Sequence, residues 1–298
     1  MLDTKNFLND ASVPYSENLS GKKLCSFCVG GNVRLVARPQ SKEQMKLIID
    51  YFKTDNKKHI VLGRGSNVVF SDEGFDGVLV VTHGLDSIAR KGELIEAGAG
   101  VSMLNLARFA EENSLTGLEF AHGIPGSVGG GVYMNAGAYG GEISNVLVSC
   151  ECYDCKNQRF LTIENAECDL SYRHSIFQEN KDLIVLSATF LLGVGDKGEI
   201  RRTMNELKAK RTEKQPLEYP SAGSTFKRPE GHFAGKLIED CGLKGYRVGG
   251  AAVSEKHAGF VINEGGATAS DIKELVEHIK NAVYEQYRVS LECEIEFI

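Results

Sequence analysis

Apolar residues recur along the 298-residue chain with two periods, and the switches between them mark its elements. Over residues 41–56, Met45, Ile48, Ile49 and Phe52 fall at i, i+3, i+4 and i+7, one face of a helix, with Ser41 placed to cap its start. Residues 101–113 read as a second helix, with Leu104, Ala107, Phe109 and Ala110 apolar. Residues 59–62 and 78–81 are short apolar runs of strand type. Ile88-Ala89-Arg90 and Glu93-Leu94-Ile95-Glu96 flank Lys91-Gly92 as a hairpin. Strands follow near 146–153, 158–163 and 183–192. Residues 193–197 form a joint, after which 199–211 is a charged helix and Pro216 and Pro220 mark a link. Residues 269–287 are a strong helix, with Ile272, Leu275, Val276, Ile279 and Val283 in one stripe and Ser270 as its cap. The closing SLECEIEFI alternates, which places Leu291, Cys293, Ile295 and Phe297 on one face and Glu292, Glu294 and Glu296 on the other. Helices and strands are mixed without βαβ regularity, so the class is α+β.

Periodicity fails over 121–141, AHGIPGSVGGGVYMNAGAYGG, where eight of twenty-one residues are glycine and no Lys, Arg, Asp or Glu occurs before Glu142. Glycine density of this kind serves positive φ or close backbone approach. Bare N–H groups in such a loop can hold a phosphate without a cation, and a purely structural loop is the alternative. A second cluster, Gly63-Arg64-Gly65-Ser66-Asn67, follows the strand-like Ile60-Val61-Leu62. It has neither the third glycine of a dinucleotide fingerprint nor a Walker lysine. Two cradles about sixty residues apart suit an extended phosphate chain, and a flavin dinucleotide better than a mononucleotide.

Composition narrows the class. Hydrophobic residues make up 42% and charged residues 25%, ordinary for a globular protein of two or three domains. No run of about 18 apolar residues exists, and the N-terminus lacks the layout of a signal peptide. A cytoplasmic location with no membrane partner is expected. Net charge is −6, which argues against nucleic acid. Residues 197–257 carry a local excess of +5, suited to a small anionic substrate or supplied by a solvated helix. Eight cysteines include Cys25-x-x-Cys28 and Cys150-x-Cys152-x-x-Cys155, but the paired spacing of a zinc site is missing. They read as structural thiols, with no metal. His122 and His174 lack a second histidine at ligand spacing and read as structural.

LGRGSNVVFSD (62–72), GIPGSVGGGVYMNAGAYGGEI (123–143), SYRHSIF (171–177), PSAGSTFKRP (220–229), AGKLIEDCGLKGYRVGGAAVS (234–254), KHAGFVIN (256–263) and LECEIEF (291–297) occur together in one order. In this the chain resembles the UDP-N-acetylenolpyruvoylglucosamine reductase (UDP-N-acetylmuramate dehydrogenase) family from about residue 20 to the end. It is similar to the shorter subclass, which lacks an insertion bearing a tyrosine loop over the substrate. The resemblance implies a vanillyl-alcohol-oxidase-type (PCMH-type) FAD-binding fold over 1–195, in two lobes near 20–85 and 86–195. A C-terminal α/β substrate-binding domain would occupy 196–298. It also implies non-covalent FAD, NADPH as co-substrate and reduction of UDP-N-acetylglucosamine enolpyruvate to UDP-N-acetylmuramate in peptidoglycan precursor synthesis. A monomer is the default expectation.

The implied reaction adds hydride to the terminal methylene carbon of a vinyl ether and sends charge toward the neighbouring carboxylate. That charge needs a cation, and the adjacent carbon needs a proton. By the resemblance, Arg173 grips the carboxylate, Ser224 donates the proton and Glu294 is a second acid. On residue pattern alone, Arg173 reads as an ion-pair arginine, Ser224 as a turn or cap serine and Glu294 as one of three glutamates on a solvated polar face. As a proton-bearing group, Glu294 is expected in a poorly hydrated pocket that raises its pKa. Flavin contacts are expected from Gly63, Arg64, Gly65, Ser66, Asn67, Gly123, Ile124, Pro125, Gly126, Ser127, Gly129 and Gly130, continued by Tyr133, Asn135, Gly137 and Gly141. Ser127 is expected to donate to phosphate. Tyr172, Lys227, Arg228 and Lys236 are expected at the substrate, the cations at its diphosphate. A flavin oxidase or 2-hydroxy-acid dehydrogenase of the same fold, and a non-catalytic sugar-nucleotide binder, are the competing readings.

Overall fold

The helix expected over 41–56 forms at Lys42–Thr54, and the Ser41 hydroxyl caps it by accepting from the Gln44 amide. Its stripe of Met45, Ile48, Ile49 and Phe52 is fully buried. At about 1.5–3 kcal/mol for each such side chain, that face anchors the helix. The second helix runs Met103–Glu112 with Ser102 as its cap. Its buried face is Met103, Leu106, Ala107 and Ala110, and Leu104 is half-buried, one turn position away from the stripe read in the sequence.

The computed structural model describes residues 2–298, which fall into two compact units interleaved in sequence. Unit 1 comprises residues 1–17, 35–64 and 77–210, and unit 2 comprises 18–34, 65–76 and 211–298.

Unit 1 holds a five-stranded antiparallel sheet in the order Arg159–Glu164, Leu147–Asp154, Leu183–Leu191, Leu94–Gly98 and Ile88–Lys91. The hairpin read at Lys91-Gly92 is present, with Lys91 opposite Leu94. Separately, His59–Leu62 pairs in parallel with the end of Phe75–Val81. One core gathers the Met103–Glu112 helix with Val128, Val132, Phe177 and Phe190. The other gathers the Lys42–Thr54 helix with Val78, Val80 and Tyr153.

In unit 2 the three-stranded sheet Arg247–Val248, Ala251–Val253, Val261–Asn263 accompanies the helix Ala269–Tyr287. That helix has the bounds read from its stripe, but its cap is Thr268, whose hydroxyl accepts from the Asp271 amide. Ser270 instead donates its hydroxyl to Asp72, which also accepts from the Ala269 and Ser270 amides.

The closing segment departs from the alternation read in it. Only Glu296–Phe297 is strand, paired in parallel with Val68–Val69, while Cys293 makes a single bridge to Phe226. Leu291 and Ile295 are buried, but Phe297 is exposed, because the partner strand is two residues long and no sheet covers its face.

Candidate active site

The glycine stretch is not a loop throughout. Val128–Tyr133 is a short helix capped by Ser127, whose hydroxyl accepts from the Gly130 amide, and Gly137–Ala138 pairs with Gly141–Glu142 as a hairpin. Glycine is a poor helix former, so tertiary contact must hold this turn. The contacts are visible. A methyl at Gly129 would come 2.9 Å from Ala99 Cβ, and one at Gly131 would come 2.9 Å from Met103 Sδ. At Gly130 the nearest atom would be Ser127 Oγ at 3.6 Å, so Gly130 alone of the three presents an open, bare face.

The amides of Val128 and Gly129 donate to Val101 and Ala99, and that of Gly131 donates to Ser127. Gly129 can therefore not offer its N–H to a ligand. Gly126 at φ 129° has a backbone that a side chain would strain, and its carbonyl accepts from Met103. Ser127 is buried, and its oxygen accepts from the Gly130 amide in the cap, a role that leaves the hydroxyl hydrogen to donate elsewhere.

Within unit 1, Gly63 meets this turn directly: a methyl there would lie 2.3 Å from Ser127 Oγ and 4.0 Å from Gly130 N. The first glycine of the upstream cluster thus neighbours the Ser127 turn. Gly63 and Arg64 close unit 1 at this point, and Gly65, Ser66 and Asn67 open the next segment of unit 2. Gly65 stands at φ 63°, and a methyl on it would be 1.9 Å from the Leu24 carbonyl, so only glycine fits. Arg64 is exposed. Burial and then the charges of Arg64 and Arg38 hold the His83 imidazole below its ordinary range, opposed by a hydrogen bond to the Gly63 backbone. Nothing in the periodicity marked His83 as a neighbour of the cradle.

Gly123 ends the 3-10 turn Glu119–Gly123, followed by half-buried Ile124 and exposed Pro125. Further along, several residues expected at the flavin have internal work. Asn135 is fully buried at φ 41°; its amide donates to the Ser171 carbonyl at 3.0 Å and its oxygen accepts from Ser144 at 2.9 Å. Both ends of that side chain clamp backbone. Gly137 and Gly141 are glycine because a side chain would strike Glu142 and Phe120 respectively. Tyr133 receives a hydrogen bond from Lys181 on its hydroxyl, with the ammonium 4.7 Å from the ring centre.

Arg173 sits at a turn in which Ser171 and His174 exchange backbone hydrogen bonds. Its φ is 56°, a conformation that costs an L-residue about 1 kcal/mol or more. The guanidinium donates from Nη2 to the Gly137 carbonyl at 3.3 Å and lies 5.3 Å from the ring centre of exposed Tyr172. Thus the arginine expected at the carboxylate is tied to the hairpin of the glycine stretch. His174 lies 3.2 Å from Asp169 and 3.6 Å from Glu179, in keeping with its structural reading.

In unit 2, Ser224 is exposed, next to Gly223 at φ 78°. Thr225 is fully buried and organises its surroundings: its amide donates to Gly259, its hydroxyl accepts from Val261 at 2.9 Å, and its carbonyl accepts from the Glu294 amide at 2.9 Å. Ser224 and Glu294 are thereby brought to one framework. Glu292 and Glu296 are exposed and Glu294 is half-buried, so burial sets Glu294 apart from the other two. Asn67 donates from Nδ2 to the Glu294 carbonyl at 2.8 Å. Lys227 pairs with Glu292 and Lys236 with Asp240, while the Arg228 guanidinium lies 4.6 Å from the centre of exposed Phe233. Exposed pairs of this kind are worth at most about 1 kcal/mol, so an anionic ligand can displace them.

Among the described residues, no three His, Cys, Asp or Glu side chains are placed to share a metal ion, and no helix is long and apolar enough to cross a membrane. All eight cysteines are free.

Comparison with known proteins bears directly on this arrangement. Residues 33–162 match the FAD binding domain family, and residues 215–298 match the C-terminal domain family of UDP-N-acetylenolpyruvoylglucosamine reductase. The UDP-N-acetylenolpyruvoylglucosamine reductase of Clostridium novyi is 49% identical over 94% of this chain and 91% of its own length. The chain belongs to the UDP-N-acetylenolpyruvoylglucosamine reductase family. The reductase of Caldicellulosiruptor bescii is 44% identical over 100% of this chain and 95% of its own. The crystal structure of the reductase from Thermus caldophilus superposes with a TM-score of 0.81 at 34% identity, covering 96% of this chain and 98% of that one. The α+β class with an FAD-binding fold and FAD as cofactor follow from this membership. The bare face of Gly130 beside Gly63 fits a group that needs close backbone approach.

Proposed function

We propose that Arg173, Ser224 and Glu294 carry the family's reduction in this chain, the conversion of UDP-N-acetylglucosamine enolpyruvate to UDP-N-acetylmuramate. The chain is an FAD-dependent oxidoreductase of peptidoglycan precursor synthesis. When bound, the flavin supplies hydride drawn from NADPH. The protein's own part is to bind, orient and protonate.

Arg173 binds the enolpyruvyl carboxylate. A guanidinium stays charged and can grip both carboxylate oxygens, and it stabilises the negative charge that moves onto them as the alkene is reduced. The hydroxyl of Ser224 delivers the proton to the carbon bearing the ether oxygen. Glu294 acts on the same side of the reaction as an acid, with its main chain fixed by Thr225 and Asn67. Lys227, Arg228 and Lys236 offer positive charge to the diphosphate, and Tyr172 offers an exposed ring. The enzyme works as a cytoplasmic monomer on a small-molecule substrate.

The observation that carries this reading is the tie between Arg173 and the glycine stretch, made through the Gly137 carbonyl. Replacing Arg173 by Ala tests it. Steady-state assay of the variant should show a fall in kcat/KM of about 10²-fold or more with flavin content unchanged; activity near wild type would remove Arg173 from the site.

A further inference from the structure

Arg173 occupies a backbone conformation that asparagine and glycine favour, at the third position of a four-residue turn. Something must hold it there. Its side chain is tied through Gly137 and the turn's first carbonyl through Asn135. A further anchor is the carbonyl of Arg173 itself, which accepts a 3.0 Å hydrogen bond from Gln178 Nε2. The same amide nitrogen donates at 2.9 Å to the carbonyl of Tyr133, in the glycine stretch. Both partners are acceptors, so the nitrogen must face them, and both amide hydrogens are spent. Ser175 adds a 2.6 Å hydrogen bond to the same Tyr133 carbonyl.

We propose that Gln178 is a positioning residue for Arg173, fixing the turn so that the guanidinium is aimed at the substrate carboxylate. The inference rests on the reading of Arg173 as the carboxylate-binding group. Gln178 sits on the four-residue helix Ile176–Glu179, packed into the core through Phe177, so its position is set independently of the turn it holds. Without its two hydrogen bonds the Arg173 backbone is free to relax toward ordinary φ, which swings the side chain away.

The test compares two ligands on the flavin-loaded enzyme: enolpyruvyl UDP-N-acetylglucosamine, which has the carboxylate, and UDP-N-acetylglucosamine, which lacks it. Dissociation constants come from flavin absorbance changes in wild type, Gln178→Met, Gln178→Lys and Arg173→Met. Gln178→Met keeps length and loses both donors. It should bind the enolpyruvyl ligand about tenfold more weakly and UDP-N-acetylglucosamine as wild type does. Gln178→Lys, which restores a donor, should recover the enolpyruvyl affinity to within about threefold. Should Gln178→Met lose flavin, Gln178→Asn, one methylene too short to reach, takes its place with the same expectation. Equal weakening of both ligands, no weakening, or failure of the lysine to rescue overturns the proposal. If Arg173→Met itself leaves the difference between the two ligands intact, it is the reading of Arg173 that fails.

Discussion

Asn67 donates its side-chain amide to the main-chain carbonyl of Glu294 at 2.8 Å, and its own carbonyl accepts from the amide of Glu296. The Gly-x-Gly-Ser-Asn cluster read as a phosphate cradle therefore also braces the candidate acid. Replacing Asn67 by Ala removes one hydrogen bond to that segment, worth about 1 kcal/mol. We expect turnover to fall by about fivefold with bound flavin retained, read as kcat against the flavin absorbance of the purified variant. Loss of flavin with unchanged turnover per flavin would assign Asn67 to the cofactor instead.

The burial difference among the three terminal glutamates makes a second prediction. Glu294→Gln should lower kcat by about 10²-fold, the range of a lost general acid, whereas exposed Glu296→Gln should stay within about twofold of wild type. Comparable losses in both variants would contradict the assignment.

Gly130→Ala separates cofactor from fold. The added methyl meets only Ser127 Oγ at 3.6 Å, an ordinary contact, so the protein should fold with its thermal midpoint little changed. If the bare face is where the flavin approaches, the variant should be purified with much less flavin than wild type. Gly131→Ala, which drives a methyl to 2.9 Å from Met103 Sδ, should lose stability first.

The sequence disclosed most where one element answered to one pattern. The 269–287 stripe has the bounds of the helix it predicted, and Ser41 caps the helix it was placed before. It disclosed least where a distant partner decides. Three consecutive glycines carry no helical preference, and Val128–Tyr133 is helical because Ala99 and Met103 press against it. Thr268 caps the last helix in a reciprocal box with Asp271, while Ser270 engages Asp72, nearly two hundred residues upstream. At the site, motif resemblance singled out Arg173, Ser224 and Glu294. The residues that hold them, Thr225, Gln178 and Asn135, left no periodic trace, since each acts through hydrogen bonds to backbone distant in sequence.

Asp72 also gives the fold a pH dependence. Burial pushes its carboxyl up, but the Ala269 and Ser270 amides and the Ser270 hydroxyl outweigh this and leave it below the usual carboxylate range. A depressed folded pKa contributes stability above the unfolded value, near 4, and loses it as pH falls through the folded one. Wild type should therefore exceed Asp72→Asn in thermal midpoint at neutral pH, and the gap should close on acidification below about pH 4. A gap independent of pH would contradict the account.

The thiols differ in reach. Burial pushes Cys155 up to about 11 and Cys152 higher still, whereas Cys28 is exposed. Brief alkylation of native protein followed by peptide mass spectrometry should find Cys28 modified and Cys150, Cys152 and Cys155 untouched.

The central claim is that a glycine-built cradle holds FAD beside an alkene gripped by Arg173. Anaerobic reduction of the flavin by NADPH, followed by rapid mixing with enolpyruvyl UDP-N-acetylglucosamine, tests it most directly. The account predicts that flavin colour returns quickly in wild type and about 10²-fold more slowly in Arg173→Ala. Colour returning at one rate in both proteins would contradict it.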